Sequence, residues 1–238
     1  MLPNCELVKV GGVQFLVFKG QDLISNHLKR ELYEDDLHQL CLKLLINEPE
    51  GVVLDIGANL GTFCLPLAKK ITKHTYHAFE PQRIVYYQLC GNAFINGLDN
   101  VHCHNFGLSN ERKRFELPMP DYASETNIGA FSIDKQVREN EYECATVGKT
   151  EPLVVFPLDD GQHTNVRLIK IDVEGHELEV LRGGIETIKY NKYPPIIFEA
   201  WTWKPWYQDK RAQVFDYLQS YGYEIKEMGQ NNLAVRKK

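Results

Sequence analysis

The 238-residue sequence predicts an α/β fold in which a parallel sheet carries helices on both faces. Two observations lead there. Short apolar runs rich in β-branched residues recur along the chain, and between them apolar residues fall at helical spacing. Several of these runs end in a glycine or an acid at the point where a helix begins, which is the sequence form of the βαβ unit.

Residues 1–50 read as an N-terminal appendage. A hairpin (CELVKV, GG, VQFLVF) precedes a helix with Leu37, Leu40, Cys41, Leu44 and Leu45 on one face. Residues 51–238 form the main domain. VVLDIG is its first strand, followed by a helix from about Thr62, the strand TYHAFE, a helix from about Gln82 and the run VHCHNFG. Between about residues 109 and 165 the alternation gives way to polar, proline-containing sequence with the short pieces FEL, GAFSI, CATV and LVVF. Its aromatic content favours an ordered excursion, and long interruptions in compact domains are commonly functional. The alternation resumes with VRLIKIDV, a helix from about Glu177 carrying Leu178, Leu181, Ile185 and Ile188, and the strand PPIIFEAW. A helix with Val214, Leu218 and Tyr221 then leads to the pair YEIKEM and NLAVRK.

Composition narrows the function. Hydrophobic content of 43% and charged content of 25% are those of a globular domain, which removes collagenous, coiled-coil and disordered readings. A net charge of -5 argues against a general nucleic-acid binder, which needs a surplus of Lys and Arg on one face. Cys5, Cys41, Cys64, Cys90, Cys103 and Cys144 contain no CxxC pair and read as reduced structural thiols. MLPNCELVKV has no charged n-region followed by an apolar stretch, and no run approaches the roughly 18 apolar residues of a membrane span. A cytoplasmic, soluble protein is expected.

Three segments carry chemistry. In Leu54-Asp55-Ile56-Gly57-Ala58-Asn59-Leu60-Gly61-Thr62 an apolar strand ends in an acid and a glycine-flanked turn before a helix, so the backbone can approach a ligand closely. An ordinary tight βα connection has the same look. Glu80, at the end of the next strand, stands where an acid can bind both hydroxyls of an adenosine ribose. The Gly-x-x-x-Gly spacing differs from the Gly-x-Gly-x-x-Gly that cradles a pyrophosphate, and no Gly-Lys-Ser/Thr pattern suggests ATP. A sulfonium cofactor suits carboxylates such as Asp55.

The second segment, Lys170-Ile171-Asp172-Val173-Glu174-Gly175-His176, brings two acids and an imidazole to the end of an apolar strand, where open α/β sheets bind ligands. Asp172, Glu174 and His176 are candidates for a general base or for holding substrate hydroxyls. Glu174 and His176 equally suit capping of the following helix. A divalent metal held by the three is a further alternative, unsupported by a second ligand segment. The third segment, Phe198-Glu199-Ala200-Trp201-Thr202-Trp203-Lys204-Pro205-Trp206-Tyr207, places an acid and all three tryptophans at the same sheet edge. The rings offer a platform for a sugar or another ring, and individually suit core packing.

These segments together resemble the FkbM-type S-adenosylmethionine-dependent methyltransferases. The resemblance rests on LDIGANLGTF (54–63), AFEPQ (78–82), NFGLSN (105–110), NIGAFSI (127–133), PLDD (157–160), LIKIDVEGHELEVLRGG (168–184) and PPIIFEAW (194–201), in family order from about Tyr33 onward. It implies a Rossmann-like class I methyltransferase fold with a seven-stranded sheet, parallel except for a reversed last strand, and S-adenosylmethionine as cofactor. By position, Asp55, Gly57, Ala58, Asn59 and Gly61 line the methionine end, and Thr62 beside them belongs to the cofactor-binding residues. Glu80 serves the ribose, Gln82, Phe106 and Gly107 the adenine, and Pro81 belongs to the cofactor-binding residues. Glu34, Asp172 and Glu174 face the methyl or the acceptor. The resemblance implies O-methylation of a hydroxyl on a sugar, glycan or natural product. Asp172 or His176, assisted by Glu174, is expected to accept the hydroxyl proton. A nicotinamide-dependent oxidoreductase and a non-catalytic binding module are the rival readings, and the acidic balance disfavours a tRNA substrate. The acceptor's identity, the oligomeric state and metal dependence stay open.

Overall fold

The computed structural model describes residues 4–20, 22–122, 127–141 and 146–236. An antiparallel hairpin, β1 (Cys5–Val10) and β2 (Val13–Phe18), is followed by α1 (Leu23–Leu28) and α2 (Asp35–Leu45). The predicted alternation follows as β3 (Val52–Ile56), α3 (Cys64–Lys70), β4 (Thr75–Phe79), α4 (Arg83–Ile95) and β5 (Val101–His104). The excursion contains β6 (Gly107–Leu108), β7 (Lys113–Pro120), α5 (Lys135–Glu141) and β8 (Thr146–Phe156). The chain ends with β9 (Val166–Ile171), α6 (Glu177–Gly183), α7 (Ile185–Tyr190), β10 (Ile196–Glu199), α8 (Gln208–Ser220), β11 (Tyr223–Met228) and β12 (Asn231–Arg236).

The main sheet has seven strands in the order β11-β12-β10-β9-β3-β4-β5. The pairs β10–β9, β9–β3, β3–β4 and β4–β5 are parallel, and β12 runs antiparallel to both β10 and β11. From β3 the chain builds outward through β4 and β5, then returns to add β9 and β10 on the other side. The order therefore reverses between β3 and β9, and open α/β sheets bind ligands outside the carboxyl ends at such a switch point.

Successive strand side chains point to opposite faces, so the sheet separates two cores. One gathers Val53, Leu168, Tyr76, Leu65, Leu67 and Leu89, together with Phe15 and Val17 of the hairpin. The other gathers Leu54, Ile56, Ile169, Ile171, Phe198, Val180, Val214 and Leu218. The hairpin is tied to α4 by polar bonds as well. Leu16 N donates to Asn92 Oδ1 (2.6 Å), and Gln88 Nε2 donates to the Leu16 carbonyl (3.1 Å).

Three expectations change in detail. The run VHCHNFG is broken: β5 ends at His104, and Gly107-Leu108 joins a separate three-stranded sheet ordered β6-β8-β7. Asn105 marks the exit, its Nδ2 donating to the Glu80 carbonyl (3.0 Å). The helix from Glu177 is divided at Gly183-Gly184, and Gly183 packs against the root of the excursion, where a Cβ would overlap the Ser109 carbonyl. GAFSI forms no strand; a 3-10 turn occupies Ile128–Ala130. FEL lies in β7 and LVVF in β8, whereas part of CATV, including Cys144, lies outside the described residues. The other five cysteines are free thiols. Among the described residues no helix is long and apolar enough to cross a membrane.

Candidate active site

A cavity of about 430 Å³ opens over the carboxyl ends of β3, β4, β9 and β10. At one end the turn after β3 enters it. Gly57 and Ala58 donate their amides to the Phe79 carbonyl (3.0 and 2.9 Å), which fixes the turn against β4. Gly57 has φ +83°, and a Cβ there would overlap the Asp172 carbonyl, so only glycine lets the two strand ends lie this close. Glu80 is buried, with one carboxylate oxygen accepting from Asn59 N (3.0 Å) and the other from Gln82 N (2.8 Å). Burial pushes it up to about 7, against the pull of those two amides.

The opposite end is a concentration of acids. Asp55 sits on β3 directly beside Lys170 on β9 in the parallel register. Neither oxygen of Asp55 has a well-formed hydrogen bond among the described residues, although Cys64 of α3 faces it. Burial raises Asp55, and the Lys170 ammonium opposes that rise. Lys170 is itself buried, and its Nζ lies 2.9 Å from Asp172 Oδ2 and over the Phe63 ring. Burial works against its charge, but Asp172, Asp55 and Glu34 outweigh it and hold the ammonium protonated. Glu174 is pushed up to about 8 by burial and by the neighbouring Asp172 and Glu177. Glu199 is raised well above the usual carboxylate range by the same causes, with Asp172 and Glu174 beside it. Asn231 Nδ2 donates to Glu34 Oε1 (2.6 Å), tying the N-terminal segment to the start of β12.

The excursion and the tryptophan segment form the remaining walls. Ile128 N donates to Asp22 Oδ1 (3.2 Å) and Gln82 Nε2 donates to the Ile128 carbonyl (3.1 Å). Ser132 Oγ donates to the Glu174 carbonyl (2.6 Å), and Lys210 pairs with Asp134 (2.6 Å). Asn127, Gly129, Phe131, Ile133 and Val137 are thereby held over the cavity. Trp201 and Trp203 line it from the other side, with the Lys204 ammonium 3.5 Å from the Trp201 ring centroid. Glu34, Asn59 and Glu174, which line other parts of the cavity, all have left-handed backbone, φ 53°, 50° and 52°. Such strain persists only where surrounding structure enforces it, and it concentrates at functional sites.

Of the residues singled out in the sequence, Glu34, Gly57, Asn59, Thr62, Glu80, Pro81, Gln82, Gly107, Asp172 and Glu174 line the one cavity. Asp55, Ala58 and Gly61 stand behind its wall, and Phe106 packs on Phe79, His104 and Phe156. His176 is placed elsewhere. It stands at the N-terminal boundary of α6 without a side-chain capping bond; its Nε2 lies 2.9 Å from Ser109 Oγ, next to the root of the excursion, and burial lowers it to about 4. The bend at Gly175 (φ +90°) turns it away from the face shared by Asp172 and Glu174. The carboxylate that joins these two is instead Glu199 of β10. Trp206 packs on Trp201 and Tyr207 rather than lining the wall. Lys170, Tyr33 and Phe131 also line the cavity, although the sequence by itself gives them no role. The one signal for Lys170 was a lysine inside an otherwise apolar strand.

Comparison with known proteins agrees with this geometry. A family model described as the methyltransferase FkbM domain matches residues 55–225. Methyltransferase sdnD of Sordaria araneosa is 25% identical over 224 residues, covering 84% of this chain and 83% of its own. Hexuronic acid methyltransferase AglP of Haloferax volcanii is 30% identical over 148 residues, 61% of this chain and 55% of its own. Methyltransferase 1 of Beauveria bassiana is 28% identical over 145 residues, 56% of this chain. The match spans 58% of that relative, so for two of these three it covers little more than half the relative's length. Among solved structures, precorrin-6y C5,15-methyltransferase from Geobacter metallireducens superposes with TM-score 0.50 at 14% identity, covering 87% of this chain and 92% of its own. That likeness concerns the fold alone. With the family model matching well over half of its length, the chain belongs to the family of the methyltransferase FkbM domain.

Proposed function

We propose that this protein transfers the methyl group of S-adenosylmethionine to a hydroxyl on a sugar, glycan or natural product. The observation that carries the reading is the joining of two unlike ends in one cavity. A glycine turn with Glu80 stands at the β3–β4 end, and Asp172, Glu174 and Glu199 with two tryptophans stand at the β9–β10 end. On this reading Glu80 takes the ribose hydroxyls and the turn at Gly57–Gly61 the methionine end. The sulfonium already activates the methyl, so the chain's tasks are in-line positioning and exclusion of water. Phe131 and Ile133 of the excursion, facing Trp201 and Trp203, serve the second task. The acceptor hydroxyl loses its proton to the carboxylate cluster, with Glu174 as the acceptor of choice: Asp172 is engaged by Lys170, and His176 lies outside the cavity. A base near neutrality is best matched to this step. The hexuronic acid relative and the half-exposed Trp203 ring among the cavity-lining residues support a carbohydrate acceptor.

Calorimetric titration with S-adenosylhomocysteine tests the cofactor. Saturable binding is expected for the wild type and a weakening of roughly 30-fold or more for Glu80→Ala, since two hydrogen bonds to a charged group are lost. Turnover is then screened with methyl-labelled cofactor over hydroxylated sugars. Binding of a reduced nicotinamide nucleotide in place of S-adenosylhomocysteine would establish the oxidoreductase instead. A well-folded protein that binds neither would be a non-catalytic member of the fold.

A further inference from the structure

We propose that His38 of α2 is a positioning residue for the cofactor: its ring replaces a helix amide that Pro66 lacks, and so locks the glycine turn after β3 to the segment carrying Glu34. The turn is wound by successive backbone bonds, Gly61 N donating to the Ala58 carbonyl (2.9 Å) and Leu65 N to the Gly61 carbonyl (3.1 Å). The next bond of that ladder would run from residue 66 to the Thr62 carbonyl, and residue 66 is a proline, which has no N–H. No backbone amide among the described residues donates to the Thr62 carbonyl. A buried carbonyl left unpaired costs free energy comparable to a lost hydrogen bond.

His38 supplies the donor. Its Nε2 lies 2.9 Å from the Thr62 carbonyl oxygen and 3.2 Å from that of Phe63, and the buried ring packs on the Phe63 ring. Its Nδ1 faces the Glu34 carbonyl at 3.1 Å, which already accepts from the amides of Leu37 (3.0 Å) and His38 (3.2 Å). Burial lowers His38 below the usual histidine value, against the pull of the three carbonyls, and so favours the neutral ring. A neutral imidazole has one N–H to give. The Thr62 carbonyl is the acceptor without a backbone donor, which assigns the proton to Nε2.

The residues joined in this way both line the cavity. Thr62 stands beside Gly57 and Asn59, and Glu34 lies at the acid-rich end, where Asn231 holds its carboxylate (2.6 Å) and its backbone is left-handed. The front of the glycine turn is fixed by the Phe79 carbonyl and the Glu80 carboxylate, and its rear, where α3 begins, by His38. A turn held at both ends needs less ordering when a ligand arrives, which is how preorganisation raises affinity. Residue 38 lies outside the stretch 55–225 matched by the family model, so the staple makes the N-terminal segment part of the cofactor site. That the turn holds the cofactor rests on the methyltransferase reading above, whereas the contacts of His38 do not.

The test is calorimetric titration of the full chain with S-adenosylhomocysteine, with urea denaturation of each variant alongside. His38→Phe keeps a packed ring but loses both nitrogens, and is expected to weaken binding ~5-fold or more, the net contribution of one hydrogen bond. His38→Gln, whose side-chain amide can donate to the Thr62 carbonyl, is expected to stay within about 3-fold of the wild type. The deciding variant is Pro66→Ala, which returns the backbone N–H. It is expected to bind as the wild type does, and His38→Phe made in that background to lose no more than about 2-fold, because two donors to one carbonyl are redundant and their effects non-additive. If His38→Phe alone does not fold, the comparison of Pro66→Ala with the double variant decides. Unchanged affinity in folded His38→Phe overturns the proposal, as does a loss of stability without a loss of affinity. So does an equal loss of affinity with and without Pro66→Ala, or a double variant that fails to fold or to bind. A wild type that binds no S-adenosylhomocysteine overturns the methyltransferase reading and the positioning role with it; a wild type that binds while the rescue fails overturns the positioning role alone.

Discussion

At the β3–β4 end of the cavity, Glu80 has both carboxylate oxygens held by backbone amides two and twenty-one residues away in sequence. At the β9–β10 end, Glu174 receives no hydrogen bond from a described residue, and its neighbours come from the N-terminal segment, two strands and the excursion. The first end is set by backbone and is complete before a ligand arrives, as preorganised recognition requires. The second keeps several partly buried carboxylates close together around one buried lysine. On the proposed reading, rigid recognition of the cofactor and a more openly hydrated site for the acceptor are separated within a single cavity.

The largest way to break this contrast is Lys170→Met. It leaves Asp172 and Asp55 without their buried cation, and losing one partner of such a pair costs about 3–5 kcal/mol. Urea denaturation is expected to show that loss. Stability equal to wild type would mean that the acidic end is neutralised by protons rather than by Lys170.

The pH dependence sharpens the contrast. Burial holds Glu174 near 8 and Glu177 and Glu80 near 7 in the folded protein. Their stabilising contribution is complete below the unfolded carboxylate value and is lost as pH rises through 7 to 8. The β4–β5 edge has the opposite sign. His77 and His104, whose Nδ1 and Nε2 are 2.9 Å apart, are lowered by burial and by the other histidines to about 3 and about 4. Their contribution is complete above the unfolded histidine value near 6.5 and is lost as pH falls from there. The melting temperature of the ligand-free protein is expected to fall on both flanks, by on the order of 5 °C. Glu174→Gln should flatten only the alkaline flank. A melting temperature constant from pH 5 to 9 would show that these groups titrate alike folded and unfolded.

The smallest effect is expected at the cavity mouth. Trp203 is 51% exposed, so Trp203→Ala should change stability by no more than about 0.5 kcal/mol and leave S-adenosylhomocysteine affinity intact. Its signature is a raised KM for the acceptor. A loss of cofactor affinity instead would show that the two ends are coupled through the tryptophan wall.

Sequence alone determined the βαβ order, the glycine turn, Glu80, and Asp172 and Glu174 at a strand end. Each is a local pattern: periodicity defines the element, and the residue after a strand lies at the sheet's binding edge whatever the rest of the chain does. Tertiary structure decided which of those residues meet. His176 is two residues from Glu174 in sequence, yet the bend at Gly175 sends it to Ser109, while Glu199, twenty-five residues further on, completes the cluster. Lys170 had no role until the register set it beside Asp55 and Asp172. The excursion had no stated purpose until hydrogen bonds at Ile128 and Ser132 folded Phe131 over the cavity. These contacts join residues far apart in the chain, and burial and charge pairing between such residues depend on how the strands and loops pack together.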